Sequence, residues 1–304
     1  MKENNLKNYA LLILKGMGMG AADVVPGVSG GTIAFIVGIY EELINSIKSI
    51  NLSSLKLLFR FKIKDFWKTI NGNFLLSVVT GILISIFSLA KVITYLLENE
   101  PVLIWSFFFG LVLASTWSVS KRIKKFSFSR WLMFALGAII AYIITMATPT
   151  QTPEGLWFIF VCGAIAICAM ILPGISGSFI LVLLGKYFYI MEAVKTFKIS
   201  VMATFAIGAA IGITSFSNVL SWLLKKYHDL TIATLAGFML GSLNKVWPWK
   251  KTIETFTDSH GVIKPLIEEN ILPNQSIGMA ILLAVFGFIL VIALEYISEK
   301  MDNK

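Results

Sequence analysis

The chain alternates long apolar stretches with short polar or basic segments, and glycine-rich breaks interrupt two of the apolar stretches. A helix needs about 20 apolar residues to cross the hydrocarbon core of a membrane. The uninterrupted stretches therefore predict transmembrane helices, at residues 74–97, 102–120, 131–147, 200–224, 230–246 and 276–297. The interruptions are residues 26–31 (PGVSGG), the first break, and residues 173–178 (PGISGS), the second break.

Each break predicts a re-entrant helical hairpin. The apolar arm on either side of a break is shorter than a membrane span, so a pair of arms that enters and leaves on one side of the membrane fits the pattern. The hairpins are predicted at residues 9–47 and 156–194. A shift of 147 residues places Ser29 on Ser176, which indicates that the two halves of the chain are copies of one unit.

These elements predict an all-α polytopic membrane protein built as an inverted repeat. Its units are residues 1–150 and 151–304, each with one re-entrant hairpin and three transmembrane helices. Because each unit has an odd number of crossings, the second is inserted upside down relative to the first. This plan is typical of secondary transporters, whose substrate site lies where paired helix breaks meet. Rocking of one half against the other would expose that site to each side of the membrane in turn.

Composition and charge place the chain in a membrane and orient it there. The sequence is 57% hydrophobic and 14% charged, with a mean hydropathy of +0.80, which excludes an ordinary soluble domain. Eighteen of the 26 Lys and Arg residues lie on the side predicted to be cytoplasmic and six on the external side, as the positive-inside rule requires. We expect both termini in the cytoplasm and a solvated external loop at residues 247–273. The net charge of +9 therefore does not indicate a nucleic-acid partner.

The residue types in the two breaks favour an anionic ligand. Glycines let the backbone approach a ligand closely, and free N–H groups at the start of a helix attract negative charge. Serine and threonine hydroxyls add further donors. The candidate phosphate-binding residues are Pro26, Gly27, Ser29, Gly30, Gly31, Thr32, Pro173, Gly174, Ser176, Gly177 and Ser178. The alternative is that both breaks are helix kinks packed on small residues.

Three charged residues in the hairpins are candidates for ion coupling or for attraction of the substrate. Asp23 lies inside an apolar segment, where an acid either carries a proton or cation or anchors the broken backbone. Glu41 and Lys186 lie toward the hairpin ends, where a solvated role also fits. No cofactor and no metal site are predicted. The ion that Asp23 leads us to consider is a proton or a sodium ion coupled to transport.

One segment also fits a catalytic pattern. Residues 27–31 match the G-x-S-x-G phrase of serine nucleophiles, which need a base within hydrogen-bond reach. The only histidines, His228 and His260, fall in predicted loops at the membrane ends. No catalytic residue is therefore predicted, and the pattern favours a transporter over an enzyme.

Two segments resemble the signatures of a known bacterial family. They are residues 20–32 (GAADVVPGVSGGT) with 38–41 (GIYE), and residues 168–180 (CAMILPGISGSFI). The family is the polyprenyl-phosphate translocase (PopT) family, formerly a membrane family of unknown function. The resemblance implies a flippase that returns undecaprenyl phosphate, the carrier lipid of peptidoglycan synthesis, from the outer to the inner leaflet of the cytoplasmic membrane. From the residues alone, an ion-coupled transporter of a small soluble anion is the alternative.

Overall fold

A computed structural model of the chain describes residues 6–25, 28–123, 127–150, 152–153, 155–257 and 263–302. It is mostly helical, as the apolar pattern predicts. The first half contains α1 (Leu6–Asp23), α2 (Gly30–Ile36), α3 (Tyr40–Ser49), α4 (Leu52–Phe59), α5 (Ile63–Thr69), α6 (Gly72–Asn99), α7 (Pro101–Lys121) and α8 (Phe128–Met146). The second half contains α9 (Leu156–Ile171), α10 (Gly177–Leu183), α11 (Tyr187–Lys195), α12 (Ile199–Lys226), α13 (His228–Ser242), β1 (Lys250–Thr257), β2 (Ile263–Asn270) and α14 (Ile277–Asp302).

Five helices, α6, α7, α8, α12 and α14, are long and apolar enough to cross a membrane. They confirm five of the six predicted crossings and show a multi-pass membrane protein. The sixth, predicted at 230–246, is the 15-residue helix α13, which ends at Ser242. At about 1.5 Å per residue it spans only about 22 Å. Its end packs against the second break, where a Cβ on Gly174 would lie 2.8 Å from Ser242 Oγ.

The return arm of each predicted hairpin is two helices rather than one. Gly38 separates α2 from α3 and has a φ of 74°, and Gly185 separates α10 from α11 and has a φ of 62°. A left-handed backbone of this kind ends a helix and favours glycine. As a result α10 and α11 are bent by 110° relative to each other. The arms predicted at 32–47 and 179–194 therefore do not run straight.

The segment predicted as a solvated external loop contains an antiparallel β-hairpin, so the loop prediction is corrected while the membrane body is helical as predicted. Lys250 pairs with Asn270 and Lys251 with Glu269 in the strand register. Five of the eight residues of β1 (KKTIETFT) are threonine, isoleucine or phenylalanine, which favour strands. This enrichment is the sequence signal for the hairpin, and charge and length alone do not show it.

Helices pack in four pairs, α1 on α6, α9 on α12, α7 on α14 and α8 on α13. Glycines make the close approaches. A Cβ on Gly81 of α6 would collide with Ile13 O of α1, and a Cβ on Gly208 of α12 would collide with Phe160 O of α9. Ile13 and Phe160 lie 147 positions apart, the shift that places Ser29 on Ser176, and a shift of 127 places Gly81 on Gly208 as well as Gly110 on Gly237. Corresponding helices are therefore packed through corresponding residues.

The ends of the bundle carry different structures. One end holds the β-hairpin with the ends of α8, α10 and α13, and we call it the β face. There Thr150 N donates to Leu183 O over 3.0 Å. The opposite face holds α3, α4, α5 and the start of α13, where Arg130 forms an ion pair of 2.9 Å with Asp229.

We predict that Gly237→Ala destabilises the bundle. A Cβ at Gly237 of α13 would collide with Phe134 O of α8, and overpacking of this kind costs about 1–3 kcal/mol. Gly278→Ala on α14 is the control, because a Cβ there meets nothing within 4 Å. Thermal unfolding in detergent should show a lower midpoint for Gly237→Ala alone. Equal midpoints for the two variants would contradict close packing of α13 on α8.

Candidate functional site

The structure brings the two breaks into direct contact. Ser29 Oγ donates to Met170 O over 3.0 Å, at the end of the helix that leads into the second break. In the other direction, Gly174 N donates to Thr32 Oγ1 over 3.0 Å. Polar backbone inside a membrane protein is tolerated only where protein or a wet cavity satisfies it. Each half of the chain therefore supplies a hydrogen-bond partner to the broken backbone of the other.

Two backbone N–H groups in the described part of the first break are bonded to side chains of the protein itself. Asp23 Oδ1 accepts from Gly30 N over 2.7 Å, so a carboxylate already lies at the start of α2. Ser29 caps the same helix by accepting from Gly31 N over 3.1 Å. Thr32 is fully buried. Among the candidate phosphate ligands of this break, Pro26 and Gly27 lie outside the described residues.

The second break presents a more open arrangement. Pro173 and Gly174 are buried, and Gly174 has a φ of 88° that suits glycine. A Cβ on Gly177 would lie 2.6 Å from Ala166 O, so a glycine is required there too. The hydroxyls of Ser176 and Ser178 lie 2.7 Å apart and bond to each other. Ser178 is exposed at the start of α10, so of the two breaks this one offers hydroxyls to a ligand.

The other charged candidates, Glu41 and Lys186, contact polar groups at opposite ends of the bundle. Glu41 Oε1 lies 3.2 Å from His228 Nε2 at the opposite face. Lys186 is buried near the β face, where its Nζ donates to Thr152 O over 3.0 Å. The structure therefore does not join Glu41 or Lys186 to the hydrogen bonds between the breaks.

The sequence analysis missed a cavity at the β face, which we call the lysine cavity. It has a volume of about 510 Å³ and is lined by the start and side of α10, the end of α8, the turn after α13 and the β-hairpin. Lys250 Nζ lies 3.4 Å from Glu268 Oε2 and 3.8 Å from the centre of the Trp105 ring. Lys245 Nζ lies 3.9 Å from the same carboxylate oxygen and 4.7 Å from the centre of the Phe179 ring.

Two cations in this cavity share one carboxylate. The side chain of Lys250 is only 7% exposed and that of Lys245 is 20% exposed. Burial lowers the pKa of Lys250 to about 8, although the Glu268 carboxylate opposes the shift. Burial also lowers the pKa of Lys245. In both lysines, the loss of water around the ammonium group lowers the pKa more than the negative charge of Glu268 raises it.

An apolar groove runs beside the lysine cavity. It has a volume of about 560 Å³ and is lined mainly by large apolar side chains, among them Phe109, Leu240, Leu243, Trp247 and Leu272. Three residues, Tyr142, Asn244 and Asn270, line both the groove and the lysine cavity. A charged compartment and an apolar compartment therefore adjoin each other at the β face.

The described residues give little support for a catalytic function. The Ser29 hydroxyl donates to a backbone carbonyl rather than to a base. His228, the histidine within the described part of the chain, pairs with Glu41 and Asp229 at the opposite face. In the same residues no group of three His, Cys, Asp or Glu side chains could hold a metal ion.

Comparisons with known proteins point in one direction. The sequence model of the VCA0040-like family, described as undecaprenyl phosphate translocase-like, matches residues 19–264. A polyprenyl-phosphate transporter of Vibrio cholerae is 47% identical over 302 residues, which cover 96% of this chain and 98% of that protein. A polyprenyl-phosphate transporter of Staphylococcus aureus is 32% identical over 254 residues, which cover 78% of this chain and 85% of that protein. No solved structure is a significant match.

We predict that Asp23→Asn preserves stability and Asp23→Ala does not. Asparagine keeps an acceptor oxygen for Gly30 N, whereas alanine leaves that buried N–H unpaired, which costs about 1–3 kcal/mol. Thermal unfolding in detergent measures the difference. Proton or sodium coupling through Asp23 stays a prediction, and the asparagine variant tests it as well. Full transport by that variant would contradict coupling, and equal stability of the two variants would contradict the anchoring role.

Proposed function

Because the chain belongs to the VCA0040-like family of undecaprenyl phosphate translocase-like proteins, we propose that it transports polyprenyl phosphate across a membrane. Two relatives that match most of its length are named polyprenyl-phosphate transporters. The five apolar helices supply the multi-pass membrane body that such transport needs. A family of transporters also supports the view that the chain is not an enzyme.

We further propose that the substrate is undecaprenyl phosphate and that it moves from the outer to the inner leaflet of the bacterial cytoplasmic membrane. In this proposal the β face is external and both termini are cytoplasmic. The distribution of Lys and Arg supports the orientation, because the opposite face includes the basic segment from Lys48 to Lys68. The lysine cavity then faces the leaflet from which the phosphate headgroup is collected.

The contact between the two breaks is the observation that carries the proposal. A phosphate that crosses the membrane needs hydrogen-bond donors along its path, and in the described part of the chain the two breaks follow the ends of α1 and α9 and contact each other. In the first break Asp23 and Ser29 already occupy the start of α2. We therefore assign the headgroup to Ser176 and Ser178 of the second break, while the isoprenoid chain stays in the surrounding lipid.

The architecture that we propose is the inverted repeat. Its support is the matched packing of α1 on α6 and of α9 on α12 through residues at corresponding positions. The positive φ of Gly38 and Gly185, which the offset of 147 residues relates, is a second correspondence. In transporters of this plan the substrate site lies near mid-depth at the interface between repeats.

We predict that Ser178→Ala slows exchange of labelled undecaprenyl phosphate between the leaflets of proteoliposomes by about tenfold. The reason is the loss of one hydrogen bond to a charged group, which is worth about 1.5–3 kcal/mol. Ser53→Ala is the matched control, because Ser53 is an exposed serine on α4 at the opposite face. Excess inorganic phosphate in the buffer separates lipid transport from transport of a small soluble anion.

Two outcomes would contradict the proposals. Equal exchange by the Ser178 and Ser53 variants would contradict the assignment of the headgroup to the second break. Exchange by the folded wild-type protein that never exceeds that of empty vesicles would contradict lipid transport itself. In that case saturable uptake of inorganic phosphate would favour the small-anion alternative.

A further inference from the structure

We propose that the lysine cavity and the apolar groove form one loading site for a phosphate-bearing isoprenoid lipid at the β face, in which Glu268 holds the lysines until a phosphate displaces it. This inference rests on the proposed transport of polyprenyl phosphate and deepens it. It assigns a binding site outside the two breaks. It also assigns separate places to the headgroup and to the first part of the chain.

The charges in the lysine cavity favour a phosphate monoester as its occupant. Lys245 and Lys250 share the single carboxylate of Glu268. Glu269 also lines the cavity, but it is exposed and pairs in the strand register with Lys251. A phosphate monoester carries close to two negative charges at neutral pH and has three acceptor oxygens, so it can bind both ammonium groups at once. One carboxylate oxygen cannot match that.

The position of the cavity connects it to the second break. Lys245 lies over the ring of Phe179, which directly follows Ser178 in α10. The side chains of Phe179 and Leu183 on the same helix line the cavity wall. Ser178, the one residue of α10 with a polar side chain, directly precedes Phe179 of this wall in the chain, so the two proposed phosphate positions share one helix.

The apolar groove identifies the ligand as a lipid rather than a free anion. Its lining side chains are large and apolar, and the groove shares the wall formed by Tyr142, Asn244 and Asn270 with the lysine cavity. A headgroup bound by the lysines would thus have its first isoprene units beside Leu240 and Trp247. Burial of apolar surface adds about 25 cal/mol for each Å² that leaves water, so a chain-bearing phosphate gains affinity that inorganic phosphate cannot.

We predict a defined order of affinities for the purified full-length protein in detergent. Farnesyl phosphate, a soluble short-chain probe, should bind at least about tenfold more tightly than inorganic phosphate, and farnesol should bind weakest. Lys245→Gln should weaken binding of farnesyl phosphate about tenfold, because a charge-assisted contact is lost. Glu268→Gln should strengthen it, because the competing carboxylate is gone. Lys251→Gln, an exposed lysine on β1 next to Lys250, is the matched control and should change nothing.

A folding defect would weaken the binding of farnesyl phosphate in either variant. The opposite effects on affinity expected for Lys245→Gln and Glu268→Gln therefore distinguish a binding role from misfolding. Thermal unfolding of each variant checks that it is folded. Equal affinity for farnesyl phosphate and inorganic phosphate would overturn the role of the groove. Weaker binding by Glu268→Gln would overturn the displacement. Failure of these binding tests with lipid exchange intact removes only the loading site, whereas intact binding without exchange supports the loading site and contradicts the proposed transport.

We also predict that binding of farnesyl phosphate weakens as the pH rises from 7 to 9. The pKa of Lys250, lowered by burial to about 8, places the loss of its positive charge in this window. The second ionisation of a phosphate monoester, near pH 6, is complete below it. The other titratable side chains that line the cavity with Lys250 are Lys245, Glu268, Glu269 and Tyr142. Titration of the affinity in Lys250→Arg, which stays charged, should be flat, and a flat profile in the unaltered protein would contradict the prediction.

Discussion

The mutual satisfaction of two broken backbones is the constraint on which this structure depends. A helix that stops inside a membrane protein leaves N–H and C=O groups without partners, and each such group is costly away from water. Here the Ser29 hydroxyl binds the carbonyl of Met170, and the Thr32 hydroxyl accepts from Gly174 N. The glycine-packed helix pairs serve this contact, because they bring the ends of α1 and α9 to the same depth.

The pairs α1 with α6 and α9 with α12 are both packed through glycines, but the polar chemistry of the two breaks differs. Asp23 anchors the first break, and the residue at the corresponding position of the second half is the apolar Met170. The first break is therefore held by the hydrogen bond of Asp23. The second break keeps serine hydroxyls within reach of a ligand. The β face combines a cationic and an apolar compartment, whereas the opposite face carries the ion pairs of Asp229 and Glu41.

The features predicted correctly from sequence are those that local physics decides. Apolar length predicted α6, α7, α8, α12 and α14, and Pro-Gly clusters predicted where helices stop. The end of α13 and the division of each return arm depend on tertiary contacts and on backbone angles at single glycines. The lysine cavity could not be predicted from the sequence for the same reason. Lys250 and Glu268 fall in a predicted solvated loop and Lys245 at the end of a predicted crossing, and the fold of the β-hairpin brings the three together.

The pairing of helices also decides which parts of the molecule can move as units. The pairs α7 with α14 and α8 with α13 each join the first half of the chain to the second. Rocking of one sequence half against the other would separate both pairs and their close glycine contacts. By contrast, the contact between the breaks consists of a few neutral hydrogen bonds, each worth about 1 kcal/mol net. A motion of α1 with α6 relative to α9 with α12 would instead have to break these hydrogen bonds and the packing of α3 on α12.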